Sequence, residues 1–144
     1  MEERSDMNIL VSACLLGAAC RYDGETKENE KAVKLLETER LIPVCPEQLG
    51  GMATPRLPAE RQGDRVINKA GEDVTEHYQK GAEQTLKLAK LYQCSCAILK
   101  ERSPSCGCGQ IYDGTFSRTL TDGDGVTARL LKEHGIVVMG ESEL

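Results

Sequence analysis

The feature that constrains the fold most is a regular alternation of short apolar runs with segments of helical periodicity. The apolar runs, each the length of one buried strand, are 7–13, 41–45, 96–100 and 136–139. The helical segments between them are about 30–39, 76–92 and 126–134. Strands that alternate with helices favour a parallel sheet with helices packed on it. We therefore predict a single α/β domain over 1–144, with a mostly parallel open sheet and helices on both faces, as in Rossmann-like or flavodoxin-like folds.

Local signals predict where two helices begin and where the chain reverses direction. Asn29 and Thr75 precede helical segments, and their side-chain oxygens can accept hydrogen bonds from the unpaired N–H groups of a helix start. Apolar residues flanking a glycine turn predict a hairpin over 66–74, and a second hairpin is predicted around 112–119. Residues 1–6 are polar and are predicted to be disordered.

Charge and hydropathy argue against two classes of partner. The chain of 144 residues has a formal net charge of −5 and no cluster of Lys and Arg that could grip a phosphate backbone. No apolar run approaches the length of a membrane-spanning helix. The polar N-terminus lacks the apolar segment of a signal peptide. We therefore expect a cytoplasmic protein that binds neither nucleic acid nor membrane.

Seven cysteines are many for a cytoplasmic chain of this length. Thiols are kept reduced in the cytosol, and an odd number of irregularly spaced cysteines does not indicate a disulfide framework. Metal binding or catalysis is then the better explanation for any cysteines that share a site.

The predicted topology separates the cysteines into groups. Ligand sites of parallel α/β folds lie outside the carboxyl ends of the strands. Three cysteines end a predicted strand or lie in the loop after one, and so meet at this edge: Cys14, Cys45 and Cys106. Cys94 and Cys96 lie at the start of the third predicted strand, at the opposite edge. We expect these two to pack as small apolar side chains.

The set of three thiolates with no nearby histidine favours a soft metal. A [4Fe–4S] cluster normally takes four cysteines, so three would leave one iron open, as a catalytic zinc site keeps one open position. Structural zinc is the alternative, but it prefers Cys-x-x-Cys pairs, which this sequence lacks. Cys20 and Cys108 lie near the same edge and are either additional ligands or neighbours of the site.

Several short motifs surround these cysteines and follow one another along the chain. They are Val-Ser-Ala-Cys14-Leu-Leu-Gly, Cys20-Arg-Tyr-Asp-Gly, Pro-Val-Cys45-Pro-Glu-Gln-Leu-Gly-Gly, Pro55-Arg-Leu-Pro-Ala-Glu, Ser103-Pro-Ser-Cys-Gly and Tyr112-Asp-Gly-Thr-Phe. Together they resemble the DUF523 family, whose characterised members are thiouracil desulfidases. The resemblance runs from about residue 8 to 140, in the family's order, and so covers nearly the whole chain.

The resemblance implies a [4Fe–4S] cluster held by Cys14, Cys45 and Cys106, with the fourth iron free for substrate sulfur. Water would attack the thiocarbonyl carbon of a thiolated pyrimidine or related thioamide. The products would be the carbonyl compound and hydrosulfide, without net electron transfer. By the same motifs, Glu47 and Ser103 are the candidate catalytic residues, for proton handling and substrate positioning. Exposed low-pKa cysteines oxidise readily, so the cluster can be absent from aerobic preparations.

These residues also have structural interpretations. Glu47 can be a carboxylate favoured by a helix N-terminus, and Ser103 can be a turn residue. Three charged residues in the same motifs are candidate substrate-binding residues: Arg21, Asp23 and Arg56. With Glu60 they can instead form an ion-pair network that shapes the loops.

Two other classes of function compete with a desulfidase. A non-catalytic iron–sulfur carrier or sensor would use the same cysteines but would tolerate loss of Glu47. A redox thiol protein would usually carry Cys-x-x-Cys after the first strand, whereas here Cys14 and Cys20 are six residues apart. The desulfidase is therefore preferred, with its natural substrate and oligomeric state left open.

Overall fold

Four parallel strands form the central sheet of the protein. A computed structural model describes residues 7–144, and residues 1–6, predicted to be disordered, lie outside the described residues. The elements in chain order are β1 (Asn8–Ser12), α1 (Glu30–Lys34), β2 (Arg40–Val44), α2 (Pro46–Leu49), β3 (Ala59–Gln62), β4 (Arg65–Asn68), α3 (Thr75–Leu91), β5 (Cys94–Leu99), β6 (Gln110–Tyr112), β7 (Leu120–Asp122), α4 (Val126–Glu133) and β8 (Val137–Gly140). The parallel strands lie in the order β2-β1-β5-β8, which places the topological switch point between β1 and β5.

The sheet is covered on both faces because its inner strands are apolar on both sides. Leu10 of β1 and Leu99 of β5 are fully buried in the core that α3 and α4 complete. Val11 and Ile98 belong to the core on the opposite face, which Ala32 of α1 completes. Successive strand residues point to opposite faces, so a continuous apolar run is what a sheet buried on both sides requires. The predicted α/β architecture is confirmed.

Helices α1 and α3 differ in how they begin. Asn29 caps α1 as predicted, because its side-chain oxygen accepts hydrogen bonds from the N–H groups of Lys31 and Ala32 at 3.0 and 3.1 Å. The prediction that Thr75 caps α3 is wrong, since Thr75 is the first helical residue. The N-cap residue is Val74, and the Asp73 carboxylate before it accepts from the backbone N–H of Thr75 at 2.9 Å and from the Thr75 hydroxyl at 2.5 Å.

Both predicted hairpins are found, and the first has an additional strand. Over 66–74, Ile67 and Asp73 form an antiparallel bridge, and the N–H of Val74 donates to the carbonyl oxygen of Val66 at 2.9 Å. The prediction lacked β3, which pairs with β4 through a turn between Gln62 and Arg65. Gly63, with φ of +63°, permits this tight turn. The sequence of β3 is polar, and the strand was therefore not predicted. The second predicted hairpin, β6 with β7, lies around 112–119 as predicted.

Backbone packing between α2 and α3 places the segment after β2. Gly50 directly follows α2, and Gly81 lies within α3. A Cβ on either glycine would overlap a backbone carbonyl oxygen across the contact, that of His77 or of Pro46. Glycine is therefore required on both sides of this crossing. Only Cys45 separates β2 from α2, so the contact between the two helices also determines where the first residues beyond β2 lie.

Candidate active site

A cavity of about 630 Å³ opens at the carboxyl edge of the sheet. That volume is in the range typical of small-molecule sites. The segments that follow β1, β2 and β5 form much of its wall, together with residues near β3 and β6. Seven of the eight residues proposed as catalytic, substrate-binding or metal-binding line it: Cys14, Cys45, Cys106, Glu47, Ser103, Arg21 and Arg56. The strand order explains this, because β1 lies between β2 and β5 in the sheet.

Each of the three candidate ligands reaches the cavity from a different strand. Cys14 lies in a one-turn 3-10 helix, Ala13–Leu16, directly after β1, and is 7% exposed. Cys45 is the single residue between β2 and α2, and Cys106 follows β5 in a turn and is 4% exposed. The three thiols are thus held by separate backbone segments on one cavity wall.

Ser103 shapes the turn that carries Cys106. Its hydroxyl oxygen accepts hydrogen bonds from the backbone N–H groups of Ser105 at 3.0 Å and Cys106 at 3.1 Å. The same hydroxyl donates to Oε1 of Glu47 over 3.5 Å. Ser103 is therefore a turn residue, as its structural interpretation expected, and it also contacts the candidate catalytic carboxylate.

The thiols of Cys106 and Cys45 are held in their neutral form. Burial raises the pKa of Cys106 to about 12, and the negative charge of Glu47 acts in the same direction. The pKa of Cys45 is also raised, first by its hydrogen bond with the Cys20 thiol and then by burial. A bound metal reverses this preference, because coordination stabilises the thiolate.

Cys20 joins the candidate ligands in the cavity. Its thiol hydrogen-bonds with the thiols of Cys14 and Cys45, and the contact with Cys14 is the main reason why the pKa of Cys20 is raised. Its backbone carbonyl oxygen also lies 3.7 Å from the Cys45 sulfur. The structure therefore places Cys20 beside the site as a buried neighbour that touches two of the three proposed ligands.

The three remaining cysteines lie elsewhere. The Cys108 thiol donates to the carbonyl oxygen of Val138 at 3.5 Å, and Cys108 is not among the residues that line the cavity. Cys94 and Cys96 begin β5, at the amino edge of the sheet. Cys94 belongs to the core beneath α3 and α4, and Cys96 packs against the core on the other face.

The donor set fits a multi-iron cluster better than a single metal ion. Within residues 7–144, no three Cys, His, Asp or Glu side chains converge closely enough to hold one ion. A zinc site needs its sulfur ligands about 2.3 Å from one point. An iron–sulfur cluster instead takes one cysteine on each of several irons, so its ligands stand further apart. Three thiols from three strand ends, two of them buried and one half-buried, line one cavity and match that second pattern.

Glu47 is clamped on one oxygen and open on the other. Oε2 accepts hydrogen bonds from Nε of Arg56 at 2.8 Å and from the hydroxyl of Tyr78 at 3.2 Å, and Nη2 of Arg56 also lies 2.8 Å from it. Oε1 has the longer contact with Ser103. Burial by itself would lower the pKa of Arg56. The charge of the Glu47 carboxylate and its hydrogen bond with Arg56 act in the opposite direction, and the pKa of Arg56 is raised. The clamp fixes the orientation of the carboxylate toward the cavity.

The charged residues do not form the ion-pair network that the sequence suggested. Arg56 pairs with Glu47, because α2 brings that carboxylate beside it. Arg21 and Asp23 pair with each other at 3.8 Å, and Asp23 does not line the cavity. Glu60 accepts hydrogen bonds from backbone N–H groups instead of pairing with arginine in this group.

Two contributors to the site were not identified from the sequence. Tyr78 lies on the buried face of α3, where its hydroxyl binds Glu47 and burial raises its pKa. Ser12, at the end of β1, hydrogen-bonds with the Cys106 thiol and accepts from the backbone N–H of Lys100 at 2.9 Å. The one available signal was a tyrosine within a stripe otherwise made of small and aliphatic side chains.

The charge balance of the cavity is opposite to that of the chain. Seven basic side chains line it: Arg21, Lys27, Arg56, Lys69, Lys100, Arg102 and Arg118. Four acidic side chains do so: Glu47, Glu60, Glu101 and Glu141. The whole chain carries −5, so the positive surplus is local and favours anionic groups in the cavity.

Comparison with known proteins agrees with the geometry of this site. Residues 9–143 match the family model described as 2-thiouracil desulfurase. The uncharacterised protein YbbK of Bacillus subtilis (strain 168) is 49% identical, over 94% of this chain and 97% of its own length. A solved structure of the [4Fe-4S]-dependent thiouracil desulfidase TudS (DUF523Vcz) is 45% identical, with a TM-score of 0.90 over 96% of this chain and 93% of that one. The expected family and fold are thereby confirmed, and the chain belongs to the 2-thiouracil desulfurase family.

Proposed function

We propose that this protein is a [4Fe–4S]-dependent desulfidase of small thiolated bases, such as a thiouracil-type pyrimidine or a related thioamide. The overall reaction consumes one water: the carbon–sulfur double bond is replaced by a carbon–oxygen double bond, and sulfur leaves as hydrosulfide with a proton. No electron donor or acceptor is needed. Family membership and the composition of the cavity support this function.

Cys14, Cys45 and Cys106 would hold the cluster. When bound, it supplies an open iron that acts as a Lewis acid toward the sulfur of the substrate. Cys14 and Cys106 are almost fully buried, so these two ligands would be shielded from bulk water. The positive surplus along the cavity wall favours both an anionic cluster and an ionised thiolated base.

The observation that carries the catalytic assignment is the two-sided environment of Glu47. Arg56 and Tyr78 occupy Oε2, so that oxygen is committed to holding the side chain in place. Oε1 remains toward Ser103 and the cavity, where it can accept the proton of the attacking water and return it to a leaving group. Ser103 would hold the substrate or a water beside Oε1.

The small acidic chain is proposed to work in the cytoplasm on free bases and not on nucleic acid. Within the described residues, no helix has the length and apolar character to cross a bilayer. The net charge of −5 opposes binding to an extended phosphate backbone, even though the cavity itself is locally basic.

Replacement of Glu47 by glutamine tests the function directly. The variant keeps the size of the side chain but cannot take up a proton, so kcat for hydrosulfide release from 2-thiouracil should fall about a hundred- to ten-thousand-fold. Iron and sulfide content after anaerobic reconstitution should match the wild type, because Glu47 is not a proposed ligand. Glu83→Gln, an exposed substitution on α3, is the matched control and should be fully active.

Ser103→Ala removes a hydrogen bond to a charged group, worth about 1.5–3 kcal/mol, and its effect on kcat should be smaller than that of Glu47→Gln. It also removes the two hydrogen bonds that hold the turn of Cys106, so kcat is compared at equal iron content. An equally active Glu47→Gln variant would remove Glu47 from the mechanism. A fully loaded wild type with no activity on any thiolated base would contradict the enzyme and favour an iron–sulfur carrier or sensor.

A further inference from the structure

The loop between β6 and β7 adopts an unusual backbone conformation where it meets the cavity. Phe116 has φ of +57° and Arg118 has φ of +62°, and both residues line the cavity. The left-handed region is unfavourable for side chains with a Cβ and is uncommon for bulky ones. Such conformations persist when surrounding contacts impose them, and they concentrate at functional sites.

Glu60 imposes the conformation of this loop. Its side chain lies in β3, is 8% exposed, and accepts hydrogen bonds at Oε1 from the N–H groups of Gly114 at 3.0 Å and Phe116 at 3.1 Å. Gln62 of the same strand donates to the carbonyl oxygen of Gly114 at 3.0 Å. Gly114 has φ of +95°, and a Cβ there would lie 2.7 Å from the carbonyl oxygen of Arg61. One buried carboxylate therefore ties two successive turns of the loop to the strand beside the cavity.

Phe116 differs from the three tyrosines that also line the cavity, Tyr22, Tyr78 and Tyr112, because its ring carries no hydroxyl. It is the one phenylalanine in the chain, and its half-buried ring has no polar group to satisfy. Tyr78 is 2% exposed and its hydroxyl is bound to Glu47. Tyr22 packs beneath the guanidinium of Arg21, whose Cζ is 5.8 Å from the ring centroid. A strained, half-buried apolar ring on the wall of a small-molecule cavity favours a ligand with an apolar face.

We propose that Phe116 is a specificity-determining residue, whose ring stacks against the planar heterocycle of the substrate, and that Glu60 is the positioning residue that holds it there. This inference rests on the proposed function, because it concerns the base bound in the same cavity. Stacking recognises any flat ring and so would select cyclic thiolated bases over open-chain thioamides.

The test compares a cyclic with an open-chain substrate in the reconstituted enzyme. In Phe116→Leu, kcat/KM for 2-thiouracil should fall about five- to hundred-fold through KM, while kcat/KM for thioacetamide should stay within about two-fold. Phe116→Tyr should restore the preference for the ring. Tyr92→Leu removes an exposed aromatic ring at the far end of α3 and is the matched control.

Binding of uracil, measured by calorimetry on the cluster-loaded protein, gives a readout independent of turnover. Its Kd should rise by the same factor in Phe116→Leu, with iron content unchanged. Glu60→Ala should reproduce this loss, whereas Glu60→Gln, which keeps an oxygen acceptor for both N–H groups, should retain most of the affinity.

The outcomes separate this inference from the proposed function. An active wild type whose Phe116→Leu variant discriminates equally well, and binds uracil equally well, overturns the stacking role alone. An inactive wild type contradicts the proposed function, and in that case a Phe116-dependent affinity for uracil still supports the ring contact. If Glu60→Ala does not fold, the Phe116 variants decide the question by themselves.

Discussion

The two edges of the parallel sheet carry the same residue type in different surroundings. At the carboxyl edge, Cys14, Cys45 and Cys106 lie on turns just beyond strands and line a cavity. At the amino edge, Cys94 and Cys96 belong to β5 itself and pack into the cores above and below the sheet. The backbone of a strand residue is hydrogen-bonded to the neighbouring strand, and its side chain points to one face of the sheet. A residue just beyond the end of a strand has neither constraint, so its side chain can contact a ligand. Position in the topology, more than residue type, separates the two groups.

The two edges are also held by different interactions. At the carboxyl edge, the side chain of Ser12 accepts from the backbone of Lys100 at 2.9 Å, and the Glu101 carboxylate accepts from the N–H of Ser142 at 2.5 Å. At the amino edge, the pairing of β1 with β5 shifts register near Asn8, and the Asn8 side chain donates to the carbonyl oxygen of Tyr92 at 2.6 Å. The polar contacts of the site edge join segments that line the cavity, whereas those of the amino edge lie beside cysteines that pack into the cores.

The largest expected effect tests this difference through iron content. Anaerobic reconstitution of the wild type should give about four iron and four sulfide per chain. Replacing any one of the three carboxyl-edge cysteines by serine should remove most of that iron, because each is proposed to bind a separate iron of the cluster. Cys94→Ser and Cys96→Ser are the matched controls and should keep it. Stoichiometric zinc without sulfide in an oxygen-free preparation would contradict the cluster.

An intermediate effect is expected where the carboxyl edge depends on helix packing. Gly81→Ala would drive a Cβ into the carbonyl oxygen of Pro46, and α2 would have to move together with Glu47. We expect a loss of about 1–3 kcal/mol in the free energy of unfolding, from urea titration, with a fall in kcat. Gln84→Ala, an exposed change on the same helix, should do neither. A stable Gly81→Ala with wild-type kcat would show that this packing does not position the catalytic carboxylate.

The smallest effect is the response of the carboxyl edge to acid. Hydrogen bonds from Ser142 lower the pKa of Glu101 below its ordinary value of 4.5. The stabilisation, about 1 kcal/mol or less for so exposed a group, should be complete above the ordinary pKa and lost as the pH falls through the lowered one. The Tm difference between wild type and Glu101→Gln should therefore be present at neutral pH and vanish in acid. Glu37→Gln, an exposed change at the amino edge, controls for the charge, and a difference that persists in acid would contradict this account.

Periodicity predicted the elements whose signals are local. The buried strands, the cap at Asn29 and the stripe of α3 all follow from residues within one or two turns of each other. Strand β3 was missed because its sequence is polar, whereas its partner β4 lies within the predicted hairpin over 66–74. Thr75 was misassigned by one position, since Val74 is the N-cap residue and the Asp73 carboxylate before it accepts from the N–H of Thr75.

The sequence by itself determined the class of fold, the edge at which the site lies and the three cysteines that follow successive parallel strands, because chain order and strand direction are local properties. Only the tertiary structure decided the partners within that edge. Glu47 of α2 is bound by Arg56, which lies in a loop, and by Tyr78 of α3. Glu60 of β3 accepts hydrogen bonds from the loop after β6 that carries Phe116. Hydrogen bonds between segments distant in sequence depend on how the elements pack, and no periodicity records that.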